Sequence, residues 1–134
     1  MRSLEQKIVS LEALAAALER RRPERLALAN GVFDLLHVGH ARLLADARSK
    51  VHALIVALND DASTRAVKGA GRPIVPLVDR CLLLAALRAV DWVTWFPETT
   101  VAATLEQLRP DFHVKGTDYQ PGALPPEEQA AHRQ

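Results

Sequence analysis

Ala53-Leu54-Ile55-Val56-Ala57-Leu58 is the stretch of sequence that decides the fold, because it is apolar at every position. A strand without polar alternation is typical of a parallel sheet that helices cover on both faces. The Asn59-Asp60-Asp61 turn that follows ends this strand and can cap a helix. The sequence therefore predicts an α/β protein built around a parallel sheet.

Strand and helix patterns alternate along the chain on both sides of this strand. Further strands are predicted at residues 26–29, 91–96 and 112–114, and helices at residues 11–22, 38–48, 77–89 and 100–108. Ser10 can cap the first of these helices, and Pro76 suits the start of the third because its missing N–H costs nothing there. The alternation predicts a Rossmann-like parallel sheet of about four to five strands with helices on both faces, in a single domain. Ligands of such sheets bind outside the carboxyl ends of the strands.

Composition argues against several classes of function. Lys and Arg total 17 against 16 Asp and Glu, for a net charge of +1 in 134 residues, so bulk attraction to nucleic acid is not expected. Cys81 is the one cysteine of the sequence, which allows no internal disulfide, and its apolar neighbours predict an inert core thiol. The sequence starts without the apolar segment of a signal peptide and has no run near the roughly 20 apolar residues of a membrane span. A cytoplasmic protein that binds neither nucleic acid nor membrane is expected.

The stretch after the first predicted strand carries the most chemistry. It reads Asn30-Gly31-Val32-Phe33-Asp34-Leu35-Leu36-His37-Val38-Gly39-His40. His37 and His40 are three residues apart and share a face if a helix begins beside them, and Gly39 leaves space for a group that must come close. Two imidazoles and free N–H groups at a helix start predict a phosphate site. Metal binding by Asp34, His37 and His40 is a weaker alternative, and an isolated histidine is more often structural.

A family resemblance enters at these residues. His37-Val38-Gly39-His40 resembles the HxGH signature of the cytidylyltransferase-like nucleotidyltransferases. The resemblance continues through Lys7-Ile8-Val9-Ser10, Asn59-Asp60-Asp61-Ala62-Ser63, Lys68-Gly69-Ala70-Gly71-Arg72-Pro73, Asp79-Arg80 and Val114-Lys115-Gly116-Thr117-Asp118-Tyr119. Taken together, these segments look like the adenylyltransferase domain that makes ADP-heptose from ATP and a heptose 1-phosphate. The resemblance implies a nucleotidyltransferase domain over residues 1–119. The tail that follows, residues 120–134, contains prolines and few apolar residues, and is expected to be mobile or only loosely attached.

The resemblance also implies roles for individual residues. In this family a phosphate oxygen of the acceptor attacks the α-phosphorus of a nucleoside triphosphate, and pyrophosphate leaves. The implied catalytic residues are His37, His40 and Lys68, and Asp34 would sit near the acceptor phosphate or the metal. The implied nucleotide-binding residues are Asn30, Gly31, Val32, Phe33, Gly39, Arg72, Arg80, Lys115, Gly116 and Asp118. Mg²⁺ is expected with ATP, the partners are ATP and a sugar phosphate, and a homodimer is expected because relatives are commonly dimers.

Alternatives stay open at this point. The same fold could use CTP and another phosphorylated alcohol such as glycerol 3-phosphate, or the chain could be a nucleotide-binding module without catalysis. Family members continue to a Ser/Thr-rich turn that holds the β- and γ-phosphates, and this sequence has no such turn. We therefore expect either a fragment or an incomplete triphosphate site. His52, His113 and His132 show no partner pattern and are assigned no role, and Trp92, Trp95 and Phe96 are expected to pack in the interior.

Overall fold

The structure, a computed structural model, describes residues 2–114 of the chain. Helices and strands alternate as the sequence predicts, apart from a short extra helix at the start and a second helix between the second and third strands. The helices are α1 (Leu4–Lys7), α2 (Leu11–Arg20), α3 (Val38–Ser49), α4 (Asp61–Lys68), α5 (Leu77–Ala85) and α6 (Ala102–Leu108). The strands are β1 (Leu26–Gly31), β2 (Ala53–Asn59), β3 (Trp92–Phe96) and β4 (Phe112–Val114). The predicted tail, residues 120–134, lies outside the described residues.

The four strands form one parallel sheet in the order β3-β2-β1-β4. The strand order reverses between β1 and β4, because β2 lies on one side of β1 and β4 on the other. A reversal of this kind opens a crevice at the carboxyl ends of the two strands, where α/β proteins bind ligands. The predicted Rossmann-like class is confirmed, and the topology locates the candidate site beside β1.

Two apolar clusters cover the two faces of the sheet, which explains the unbroken apolar run in β2. Side chains of β2 alternate between the faces, so that Ile55 packs with α2 and α6 while Val56 packs with α3 and α5. All seven residues of β2 are buried. An amphipathic strand would place polar groups against one of these clusters, so only an apolar sequence fits the centre of this sheet.

Several helix ends differ from the sequence prediction for reasons that lie elsewhere in the fold. Helix α5 ends at Ala85 rather than near residue 89, and the ammonium of Lys7 donates to the carbonyls of Ala85 and Leu87 at 3.0 and 3.3 Å. Helix α2 ends at Arg20, and the guanidinium of Arg22 instead donates to the carbonyls of Leu108 and Arg109, at the end of α6. These contacts join distant segments, so local patterns do not reveal them.

The interior predictions for Cys81 and Phe96 are confirmed. Phe96 is 1% exposed, and Cys81 is 3% exposed on the sheet side of α5. Burial raises the pKa of the Cys81 thiol to about 11, which keeps the sulfur protonated and unreactive at neutral pH. Within residues 2–114, every helix is too short or too polar to span a bilayer.

Candidate functional site

A cleft of about 400 Å³ opens at the carboxyl end of β1 and the start of α3. This volume is within the usual range of small-ligand sites, roughly 300–1,000 Å³. The residues that line the cleft are Asn30, Gly31, Val32, Phe33, Asp34, Leu35, His37, His40, Leu43, Lys68 and Arg72. The fold therefore brings the motif after β1 together with Lys68 and Arg72, which come from a segment almost 30 residues later in the chain. Leu35 and Leu43 are apolar lining residues that sequence reasoning did not single out.

His37 and His40 cap the N-terminus of α3 with their imidazole rings. His37 is the N-cap residue, and its Nδ1 accepts a hydrogen bond from the N–H of Gly39 at 3.0 Å. The Nδ1 of His40 accepts from the N–H of His37 at 3.2 Å. The two rings are stacked, with centroids 3.9 Å apart. The predicted pairing of these histidines on one face is therefore present in the structure.

These two hydrogen bonds determine which ring nitrogen carries the proton. A backbone N–H can only donate, so each Nδ1 must be an unprotonated acceptor and the proton of each neutral ring lies on Nε2. Burial lowers the pKa of His40, and the charge of a protonated His37 would lower it further. A neutral His40 at pH 7 therefore has one N–H donor, on Nε2, available for an anion in the cleft.

Gly39 is needed for this arrangement. A Cβ at Gly39 would lie 2.7 Å from Cε1 of His37, a distance that real structures do not tolerate. The resemblance predicts that Gly39 makes room for a triphosphate, and the structure shows that the missing side chain also makes room for the ring of His37. The ring of Phe33 lies next to that of His40, with the two centroids 5.1 Å apart. The backbone of Phe33 has a φ of +50°.

Asp34 is buried at the base of the cleft and holds the segment that follows Gly71. Its carboxylate accepts from Nε of Arg72 at 2.5 Å and from the N–H groups of Ile74 and Val75 at 2.8 to 3.0 Å. Burial by itself would raise the pKa of Asp34, but the two backbone donors and Arg72 outweigh it and lower the pKa to about 2. Asp34 also lines the cleft, so its expected place near the acceptor phosphate or the metal stays a prediction, and the structure adds that its carboxylate holds Arg72 and the backbone of Ile74 and Val75.

Lys68 is the last residue of α4, at the edge of the cleft. The side chain of Lys68 is exposed. The next residue, Gly69, adopts a φ of +109°, which residues other than glycine rarely adopt. The helix therefore ends sharply at Lys68, and the chain turns toward Arg72 and the Asp34 contact. One ammonium and one guanidinium thus line the cleft that the two imidazoles border.

Arg80, a predicted nucleotide-binding residue, lies in the interior of the protein. Its side chain is fully buried, at 0% exposure, and does not line the cleft. The guanidinium donates to the carbonyls of Val75, Val32 and Asn59 at 2.8 to 2.9 Å and to the carboxylate of Asp61 at 2.6 Å. Arg80 therefore fixes the backbone of the motif after β1, and the expectation that it faces the nucleotide stays a prediction that its burial does not support.

His113 was assigned no role from the sequence, yet it lies beside the cleft. The Nε2 of His113 contacts the Oδ1 of Asn30, which is a lining residue of the cleft. The signal that could have identified His113 is its position near the carboxyl end of β4, once β4 is placed next to β1. Lys115, Gly116 and Asp118, the other predicted nucleotide-binding residues, lie outside the described residues.

The described residues offer no resident metal site. No group of three or more His, Cys, Asp or Glu side chains within residues 2–114 is arranged to hold an ion. Asp34, the carboxylate that lines the cleft, is engaged with Arg72 and two backbone N–H groups. The expected Mg²⁺, which substrate phosphates and one or two carboxylates commonly hold, stays a prediction.

Comparison with known proteins agrees with the geometry of the cleft. The family model described as Cytidylyltransferase-like matches residues 28–131, which include both histidines and both cations of the cleft. The chain belongs to the cytidylyltransferase-like family. The family predicted from the sequence is confirmed.

Individual relatives support the same assignment. The chain is 50% identical over 108 residues to Bifunctional protein HldE of Shigella sonnei and 52% identical over 110 residues to that of Alkalilimnicola ehrlichii. These matches cover 81% and 82% of this chain but only 23% of each relative, so the chain spans less than a quarter of their length. Among solved structures, a lipopolysaccharide core biosynthesis protein from Thermoplasma volcanium has a TM-score of 0.64 at 29% identity, covering 72% of this chain and 77% of that one.

Proposed function

We propose that this cytidylyltransferase-like domain transfers the adenylyl group of ATP to a sugar 1-phosphate, with heptose 1-phosphate as the acceptor. The products are an ADP-sugar and pyrophosphate. The observation that carries the proposal is the pair of imidazoles whose Nδ1 atoms are both occupied by backbone N–H groups. Their remaining Nε2–H groups are donors for a polyphosphate, at a helix N-terminus that itself favours negative charge.

The reaction needs positioning and charge neutralisation more than proton transfer. An ionised phosphate oxygen of the acceptor forms a bond to the α-phosphorus of ATP while the bond to the pyrophosphate oxygen breaks. No protein atom becomes covalently attached, and no base is needed because the attacking oxygen carries no proton. His37, His40 and Lys68 would stabilise the charge that builds on the α-phosphoryl and leaving groups. Mg²⁺ would enter as part of the MgATP substrate, held by the phosphates.

The choice of acceptor rests on the relatives. The segments that resemble ADP-heptose-forming domains extend along most of the chain, and two HldE proteins are about half identical to it over more than 100 residues. The similar Thermoplasma structure is that of a lipopolysaccharide core biosynthesis protein, which also favours a sugar acceptor. A cytoplasmic location, where ATP is abundant, and a homodimer are further parts of the proposal.

Pyrophosphate release tests the proposal. The protein is incubated with ATP or CTP and with heptose 1-phosphate, glucose 1-phosphate or glycerol 3-phosphate, in the presence of Mg²⁺. We expect release with ATP and heptose 1-phosphate at a rate far above that of every other pair. Release with CTP and glycerol 3-phosphate alone would establish the alternative cytidylyltransferase activity. Binding of ATP in calorimetry with no release from any pair would instead identify a nucleotide-binding module.

A further inference from the structure

His113 and Asn30 meet at the point where the strand order of the sheet reverses. Parallel pairing of β1 with β4 aligns Leu28 with His113, so that Asn30, two residues beyond Leu28, lies on the same face. The contact between Nε2 of His113 and Oδ1 of Asn30 is partly buried. The register of the two strands therefore places this contact directly beside the ligand cleft.

The contact determines how the amide of Asn30 is oriented. An amide has one oxygen acceptor and one NH₂ donor group, and the two ends exchange places when the side chain flips by half a turn. The oxygen of Asn30 has no proton, so the Nε2 of His113 must carry one and donate it. In that orientation the NH₂ group of Asn30 is left for other partners.

The direction of the amide has a consequence for an anionic ligand. An NH₂ group that faces a phosphate donates to it, whereas an amide oxygen in the same place repels it. Three other side chains that line the cleft, those of His37, His40 and Lys68, carry donors that suit an anion in the same way. A flipped Asn30 would be the exception among them.

We propose that His113 is a positioning residue that locks the amide of Asn30 with its NH₂ group available to the phosphate-bearing ligand of the cleft. The proposal rests on the proposed nucleotide-binding function of this cleft. It gives a role to a histidine that lies outside the HxGH pattern, in β4. His113 acts through Asn30 and need not touch the ligand itself.

A double-mutant cycle on the affinity for MgATP tests this coupling. We expect His113→Leu to weaken binding about fivefold to tenfold, the effect of one lost orienting hydrogen bond. In an Asn30→Ala background the same substitution should change the affinity by less than about twofold, because the amide that His113 orients is absent. His113→Gln, which retains an N–H donor, should recover part of the affinity. His52→Leu is the control, since His52 is exposed and lies outside the cleft.

The proposal is overturned if the losses of MgATP affinity in His113→Leu and Asn30→Ala simply multiply in the double variant. A second measurement separates this outcome from failure of the proposed function. Long-range ¹H–¹⁵N spectra of the unliganded protein report which nitrogen of His113 is protonated, whether or not ATP binds. Protonation on Nε2 agrees with the lock, and a neutral ring protonated on Nδ1 overturns it. A wild-type protein that binds no nucleotide would refute the proposed function, and the spectra would still decide the orientation of the pair.

Discussion

The two histidines at the start of α3 show how backbone groups can prepare side chains for chemistry. Each ring gives one nitrogen to a backbone N–H and keeps the other as a donor, so no proton has to be rearranged when an anion binds. Preorganisation of this kind is worth more than the same hydrogen bonds in water, because the groups are not reorganised as charge develops.

Removal of either ring should therefore reduce catalysis by more than the roughly 1 kcal/mol of stability that a helix cap is worth. His37→Ala and His40→Ala are each expected to lower kcat/KM by on the order of a hundredfold, the typical effect of losing one preorganised donor. The measurement is pyrophosphate release at saturating Mg²⁺. His52→Ala is the matched control and should keep the wild-type rate. Normal rates in both cleft variants would remove these rings from the mechanism.

Asp34 makes a prediction about stability and pH. Asp34→Asn should lower the free energy of unfolding by roughly 1–3 kcal/mol, because Arg72 and two backbone N–H groups lose a charged acceptor. Because the pKa of Asp34 is depressed in the folded state, its contribution is complete above pH 3.8 and is lost as the pH falls toward about 2. In urea titrations, the difference in free energy of unfolding between the wild type and Asp34→Asn should therefore shrink as the pH falls across this range.

The control for this substitution is Asp46→Asn. Asp46 is exposed and pairs with Lys50 on the surface at 3.1 Å, so its loss should cost less than about 0.5 kcal/mol. A difference in free energy of unfolding between the wild type and Asp34→Asn that stayed constant between pH 4 and 2 would contradict the assigned cause of the pKa shift.

Residue types and spacing predicted which side chains would gather, but not all of their partners. The HxGH pattern predicted that His37 and His40 share a helix face, since that depends on residues three apart. The roles of Asp34 and Arg80 depend on segments that are 19 to 48 residues away. Such partners are set by tertiary packing, and a single sequence contains no local sign of them.

At the scale of elements, the N-terminus of α3 depends on one glycine. Gly39→Ala would gain roughly 0.5–1 kcal/mol of helix propensity and lose a cap worth about 1 kcal/mol. The stability should therefore change little, and the displaced ring of His37 should appear as a loss of affinity for MgATP of about tenfold, worth 1.4 kcal/mol on this scale. Calorimetry and urea unfolding of the same variant measure the two quantities separately.

Gly71→Ala is the matched control for this glycine. A Cβ at Gly71 would meet no atom within 4 Å, so the affinity should stay within about twofold of the wild type. If Gly39→Ala kept the wild-type affinity, the folded-back ring of His37 would not be needed for binding.

Helix positions were predictable from the sequence where the signal was local. Ser10 and Asp60 cap α2 and α4 through their own side chains, as their residue types predict. The end of α5 was not predictable, because Lys7, near the start of the chain, donates to the carbonyls of Ala85 and Leu87. Short-range rules describe how helices begin better than where packing stops them.

At the scale of the whole molecule, the order of strands explains where the site is. The apolar run of β2 predicted a covered parallel sheet, but it did not predict that β4 would return to the free side of β1. That return creates the reversal beside which Asn30, His37 and Lys68 border one cleft. Right-handed crossovers limit the possible orders to a few, and non-local packing chooses among them.

Arg80 connects more parts of this architecture than any single motif suggests. Its guanidinium joins the loop after β1, the end of β2, the start of α4 and the chain before α5, through Val32, Asn59, Asp61 and Val75. Arg80→Met keeps an apolar stem of similar length but removes the guanidinium donors from these buried and partly buried acceptors. We expect a loss of roughly 2–4 kcal/mol in the free energy of unfolding.

The same variant distinguishes a structural Arg80 from one that binds nucleotide. Arg88→Met is the control, because Arg88 is exposed just after the end of α5 and its loss should change stability by less than about 0.5 kcal/mol. If Arg80 acts only through the fold, the folded fraction of Arg80→Met at low temperature should still bind MgATP. Any loss of affinity should then come from a shift of the loop at Val32. Unchanged stability with abolished MgATP binding would instead show that Arg80 reaches the ligand, against its complete burial in the structure.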